Sequence, residues 1–148
     1  LLQRLQAHPF LALRGPRSTG REDFNLPWLD SVLKDFPGLA AVDVQATLAH
    51  FTAHTLTAAA VDLPAGEKAE EILVCGGGAH NAFLMQLLAD LLAPRPVSST
   101  AEHGIDPGLV EGAAFAWLAR QTLLRQPGSL ASVTGASRDA VLGSIHFP

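Results

Sequence analysis

The sequence predicts an α/β fold, a partly parallel sheet with helices packed on it. Three observations carry that prediction. The apolar run Glu71-Ile72-Leu73-Val74-Cys75 is bounded by glycines and has the length of a buried strand. Gly76-Gly77-Gly78 then turns the chain into a segment with leucines at 84, 87, 88, 91 and 92, the spacing of one helical face. A second short strand is expected at residues 95–98, and strand–helix–strand order builds parallel pairing.

Taken in order, residues 1–27 hold Pro9, Gly15, Pro16, Gly20 and Pro27, which interrupt any period, and are expected to be irregular. Within them Thr19 and Glu22 have capping-box spacing, which would start a helix. Arg21, in a glycine-containing stretch, could instead bind phosphate or bridge two lobes. Asn25 can cap a short helix with Pro27 in its first turn and Leu29, Val32 and Leu33 on its apolar face. Pro37-Gly38 ends it. Asp43 is the expected N-cap of a longer helix of about 20 residues, with Val44, Leu48, Phe51, Thr55 and Ala58 on one 3.6-residue face. Pro64 and Gly66 should stop it. Asp106-Pro107 opens a further helix reaching about Leu124. Pro127-Gly128 breaks it, and a last strand is expected at residues 140–147. The chain shows no internal repeat and no low-complexity tract.

Composition bounds the function. The chain has 148 residues, 48% of them hydrophobic and 16% charged, enough for one domain with a real core and too apolar for intrinsic disorder. Ten basic against 14 acidic residues give a net charge of −4, which argues against an electrostatic nucleic-acid binder. The single cysteine, Cys75, leaves no internal disulfide and no zinc knuckle, and fits a reducing, cytoplasmic setting. It is expected to be a small core residue at the end of its strand. No apolar run approaches the length of a membrane span, and the opening Leu1-Leu2-Gln3-Arg4-Leu5-Gln6 is too interrupted for a signal peptide. The chain begins at Leu1 rather than Met, as a processed or excised fragment would.

The strongest local signal is Val74-Cys75-Gly76-Gly77-Gly78-Ala79-His80-Asn81. A glycine turn between strand and helix lets backbone approach a ligand, and the helix N-terminus adds free N–H donors and a positive dipole end. Those features suit a nucleotide phosphate or a ribose; a tight turn with no ligand remains the alternative. A Walker loop would need a lysine followed by serine or threonine, which is missing. A dinucleotide fingerprint would need glycine or alanine where Asn81 stands, although Glu102 could imitate its ribose acid.

The second signal is Glu111. It is the only acid in its helix, its neighbours three and four residues away are Gly108, Ala114 and Phe115, and Arg120 falls on the opposite face. Such a carboxylate is paired from elsewhere, kept for a ligand, or exposed in a first turn where the helix dipole favours it. Gly112, Ala113, Ala114, Ala116 and Ala119 give that helix a thin surface for close packing. His50 and His54 stand four apart on one helix, with no third metal ligand to support them. His80 and His103 fall in expected loops near the glycine turn and the later helix.

These residues resemble the 1,6-anhydro-N-acetylmuramic acid kinases. The resemblance runs through Ser18-Thr19-Gly20-Arg21-Glu22, Phe24-Asn25-Leu26, Trp28-Leu29, Asp43-Val44-Gln45-Ala46-Thr47-Leu48 and the glycine motif. It continues through Val110-Glu111, Ala113, Phe115-Ala116-Trp117-Leu118-Ala119 and Ser132-Val133-Thr134-Gly135-Ala136-Ser137. It implies a two-lobed sugar kinase of the hexokinase–Hsp70–actin superfamily, with ATP and Mg2+ bound between lobes that close on the substrate. Family members open the anhydro ring with water and phosphorylate the sugar to N-acetylmuramic acid 6-phosphate, for peptidoglycan recycling in the cytoplasm. By the same resemblance, residues 1–148 are the ribonuclease H-like C-terminal lobe, with 1–24 an irregular lead-in and 25–148 the α/β core. Gly76, Gly77, Gly78 and Asn81 fall on the nucleotide motif, and Glu111 on a glutamate that faces the sugar. The first phosphate loop and the water-activating aspartate belong to an N-terminal lobe with no counterpart here. The general base is therefore expected outside this chain, and the fragment alone is expected to be inactive. Homodimers are common in the family. A non-catalytic nucleotide-binding or oligomerisation module of the same fold is the alternative.

Overall fold

The computed structural model describes residues 1–15, 18–61 and 69–146. In chain order it contains α1 (Leu2–Gln6), α2 (Pro9–Ala12), α3 (Leu26–Leu33), α4 (Ala41–Val61), β1 (Ile72–Val74), α5 (Ala82–Leu92), β2 (Val97–Ser99), α6 (Val110–Leu123) and α7 (Ala131–Thr134). β1 and β2 pair in parallel, with Ile72 opposite Val97, Leu73 opposite Ser98 and Val74 opposite Ser99. α5 is the crossover between them. The result is the expected mixed α/β arrangement, with helices on a small parallel sheet.

Side-chain caps mark where α2, α3 and α5 begin. Asn25 Oδ1 accepts the Trp28 N–H at 2.9 Å and Pro27 sits in the first turn, so α3 starts as expected. α4 begins at Ala41, two residues before the expected start, so Asp43 lies inside its first turn rather than at its cap. There a carboxylate still favours the positive end of the helix dipole. The stops at Pro64 and Gly66 lie outside the described residues, as does Pro16.

α4 also corrects the expected face. Its fully buried residue is Ala53, and Ala58 is exposed. The reason is that α4 packs on two sides. Ala53 and Ala60 meet the core of α5 and the sheet, built on Leu88 and Leu92 with Ile72, Val74, Leu84, Leu87 and Val97. Phe51 points the other way, with its ring 6.0 Å from Phe24 and 6.1 Å from Trp28. A helix with two packed sides carries no single apolar stripe.

Three further expectations fail. Residues 1–27 are not irregular throughout, because α1 and α2 form there. Leu5 of α1 is completely buried, and α1 packs on α4, so tertiary docking rather than local periodicity holds so short a helix. The capping box at Thr19 and Glu22 starts no helix either: Thr19 Oγ1 donates to the Asp23 carboxylate at 2.7 Å, which closes a turn instead. At the other end, residues 140–146 form no strand. The Ala140 carbonyl accepts the Gly128 N–H at 2.9 Å and the Leu142 carbonyl accepts the Thr122 hydroxyl, so this segment lies along α6 rather than on the sheet.

Candidate functional site

β1 ends at Val74, and the chain must reverse within a few residues to launch α5. Gly76 makes that reversal at φ +72°, a conformation costly for residues with a Cβ, and nothing lies within 4 Å of where a Cβ would stand at Gly76 or Gly77. Among the described residues the turn is therefore open on the side of the Gly76 and Gly77 Cβ positions, while the Pro107–Leu109 turn packs against it. A short 3-10 turn, Gly77–His80, intervenes before the helix, so the glycines do not abut α5 directly. The helix cap is Asn81, whose Oδ1 accepts the Leu84 N–H at 3.1 Å. Its Nδ2 has no hydrogen-bond partner among the described residues. Gly78 is the confined glycine of the three, with Leu84 Cδ2 3.4 Å from its Cβ position.

Beside this turn lies an open cavity of about 600 Å3 between the first half of α4 and the start of α5. Gln45, Ala49, Thr52, Asn81 and Phe83 are among its walls, so its floor is apolar and its polar groups are amides and a hydroxyl. The structure brings Asn81 to this cavity, and the glycines are not among its walls. Small neutral donors and acceptors over an apolar floor suit an uncharged planar or polyol group better than a free ion.

Glu111 occupies the first turn of α6. The helix expected from Pro107 begins as a 3-10 turn, Pro107–Leu109, with Asp106 Oδ1 accepting the Gly108 N–H at 2.7 Å, and becomes α-helical at Val110. The Glu111 side chain is exposed and has no hydrogen-bond or ion-pair partner among the described residues. One backbone bond ties this helix to the glycine turn: the Gly76 N–H donates to the Pro107 carbonyl at 2.8 Å. Pro107 is buried at that junction. The small residues of α6 are uncovered among the described residues, with Ala113, Ala114, Ala116 and Ala119 all exposed.

The remaining candidates separate. Arg21 is exposed at the rim of a second cavity, walled by Phe24, Trp28 and Phe51, away from the glycine turn. His50 packs its ring edge-on to Phe83 at 5.7 Å, and no group of three potential metal ligands converges among the described residues. His80 and Glu102 are exposed in their 3-10 turns. Cys75 is exposed rather than in the core, because it stands just past the last paired residue of β1.

Sequence reasoning missed Glu71. Its carboxylate accepts from Ser98 Oγ at 2.7 Å and lies 3.0 Å from His103 Nε2. The Ser98 hydroxyl, aided by His103, holds the Glu71 carboxyl below the usual range, against the opposing pull of desolvation. Only the parallel register, with Ser98 opposite Leu73, brings these residues together, and no spacing in the sequence announces it.

Strand, glycine turn and capped helix place the protein among the α/β proteins that expose backbone at a strand-to-helix reversal. A family model described as anhydro-N-acetylmuramic acid kinase matches residues 1–148, and the chain belongs to that family. It is 52% identical over 146 residues to an anhydro-N-acetylmuramic acid kinase of Pseudomonas fluorescens (strain Pf0-1), covering 99% of this chain and 40% of that protein. To the proteins of the same name from Thiobacillus denitrificans (strain ATCC 25259 / T1) and Shewanella halifaxensis (strain HAW-EB4) it is 50% and 47% identical, over 99% of this chain and 39% of each. The chain thus spans about 40% of the length of the curated relatives it matches.

Proposed function

We propose that this chain is the C-terminal lobe, ribonuclease H-like in fold, of a kinase that opens 1,6-anhydro-N-acetylmuramic acid with water and phosphorylates it to N-acetylmuramic acid 6-phosphate. The observation that carries this reading is family membership along the whole chain. Residues 25–148 are its α/β core and residues 1–24 lead into it. ATP is the phosphoryl donor, and the chemistry takes place in the cytoplasm during peptidoglycan recycling. A homodimer is the expected assembly.

The roles follow from the local chemistry. Gly76, Gly77 and Gly78 offer backbone to a phosphate or ribose, and among the described residues no atom lies within 4 Å of the Gly76 and Gly77 Cβ positions, which supports that fit. Asn81 fixes the start of α5 and keeps one amide donor for the nucleotide. Mg2+ would neutralise the nucleotide phosphates and is commonly held through one or two carboxylates and the phosphates themselves. The exposed Glu111 carboxylate is an acceptor for sugar hydroxyls or an amide. The base that activates water comes from the other lobe, so the 148 residues alone are expected to give no turnover.

The test is steady-state kinetics on the protein at full length. Glu111→Gln keeps the shape and removes the charge. Losing a charged hydrogen-bond partner costs about 1.5–3 kcal/mol, so kcat/KM for the anhydro sugar should fall by about one to two orders of magnitude with an unchanged melting temperature. Wild-type kinetics in that variant would remove Glu111 from the site. ATP-dependent turnover by residues 1–148 alone would show that the catalytic base has been misplaced.

A further inference from the structure

Glu71 directly precedes β1, and its two carboxylate oxygens are engaged by different stretches of chain. Ser98 Oγ donates to Oε1 at 2.7 Å, and His103 Nε2 lies 3.0 Å from Oε2. A carboxylate only accepts, so the His103 proton facing it sits on Nε2. Ser98 is buried, 8% exposed, and is held by the sheet register itself. His103 ends the short turn Thr100–His103, after which Gly104, at φ +79°, reverses the chain. The Gly104 N–H donates to the Ala101 carbonyl at 3.0 Å and the Ile105 N–H to the Thr100 carbonyl at 3.1 Å, so the reversal is tightly closed. The chain then reaches buried Pro107, whose carbonyl takes the Gly76 N–H at 2.8 Å. Residues 98–107 therefore grip β1 twice, at Glu71 before its first residue and at Gly76 beyond its last.

We infer that Glu71, Ser98 and His103 form a clamp that sets the glycine turn against the start of α6, making Glu71 and His103 positioning residues for the candidate site. Neither lines the cavity beside Asn81. Their action runs through the turn at residues 100–106: with His103 anchored, Pro107 is presented to Gly76, and the glycine turn and Glu111 keep a fixed relation. A hydrogen bond to an ionised partner is stronger than a neutral one, which suits a clamp exposed on one side. Any effect on catalysis rests on the nucleotide reading above; the clamp itself does not.

Amide hydrogen exchange on the protein at full length tests it. In His103→Ala and in Glu71→Gln the Gly76 amide should exchange roughly three- to tenfold faster, the size of one lost hydrogen bond, while the α4 amides around Ala53 stay unchanged. His103→Gln keeps a neutral N–H donor and should return Gly76 most of the way to wild type. ATP titration of the same samples should show weaker binding in His103→Ala, with recovery in His103→Gln. An unchanged Gly76 in both breaking variants overturns the clamp. Loss of the melting transition, or equal acceleration of all core amides, also overturns it, since the network would then hold the fold rather than the turn. If wild type binds no ATP while Gly76 responds as expected, the nucleotide reading falls and the clamp stands.

Discussion

α5 and α6 are helices of 11 and 14 residues with opposite surroundings. α5 buries Leu88 and Leu92 to 2% and 5% exposure, whereas α6 has no buried residue and leaves Phe115 64%, Trp117 51% and Leu123 70% exposed. Both are rich in apolar side chains, so composition does not separate them. Geometry does. The leucines of α5 share one face, which α4 and the sheet cover. Phe115 and Trp117 are two residues apart and so point to nearly opposite sides of α6. α5 needs cover on one face alone; α6 needs it on more than one side, and the described residues supply the segment around Leu142 and Gly128 beside Leu118. The strand–turn–helix unit is thus closed over by α4, while the helix bearing Glu111 presents apolar surface of the kind that marks interfaces.

The sharpest way to break this contrast is to cut into each helix in turn. Leu88→Ala removes a side chain packed in the core with Ala53 and Leu92. A large-to-small change there costs about 2–5 kcal/mol, and denaturant unfolding should show the midpoint drop accordingly. Phe115→Ala removes a larger side chain from an exposed site and should stay within about 0.5 kcal/mol of wild type. Equal losses at the two positions would mean that α6 is covered in solution.

The same contrast explains what the sequence revealed. The unit from β1 to β2 was legible because its glycines and leucine spacing are local signals, as are the Asn25 and Asp106 caps outside it, and local signals decide local structure. α1 was not legible, since its stability comes from burying Leu5 on α4. The buried face of α4 was misread because two partners compete for it. A last strand at residues 140–147 had the right apolar content, but Ala140 and Leu142 give their carbonyls to Gly128 and Thr122 instead. Of the candidate site, Asn81 was placed by its motif, while its role as cap needed coordinates. Glu71 was invisible because its partners lie 27 and 32 residues away.

Asn81 allows a finer cut within the strand–turn–helix unit. Asn81→Ala removes the acceptor for the Leu84 N–H, and loss of an N-cap side chain costs about 0.5–2 kcal/mol. Asn81→Asp keeps the cap and replaces the free amide donor with charge. Thermal melting should rank wild type and Asn81→Asp together above Asn81→Ala. ATP affinity should instead fall in both variants, because each lacks the Nδ2 donor. A variant series in which affinity merely follows melting temperature would leave Asn81 a cap and nothing more.

The smallest effect expected lies at the seam between the two regions, in the pH dependence carried by Glu71. Its carboxyl is held below the ordinary value of 4.5 in the folded chain, first by the Ser98 hydroxyl and then by His103. The folded state therefore prefers the ionised form more than the unfolded state does. The stability this supplies is fully present above the unfolded pKa and is lost as pH falls through the lower, folded one. Glu71→Gln cannot ionise and should lack that contribution at every pH. Unfolding free energies of the two proteins should differ most just above the ordinary carboxylate range, where wild type is the more stable, and converge as the solution is acidified below it. Because Glu71 is partly exposed, salt should shrink the His103 share of the difference and spare the Ser98 share. A gap between wild type and variant that stays flat down through acid pH would mean that the carboxylate charge contributes nothing to holding the two regions together.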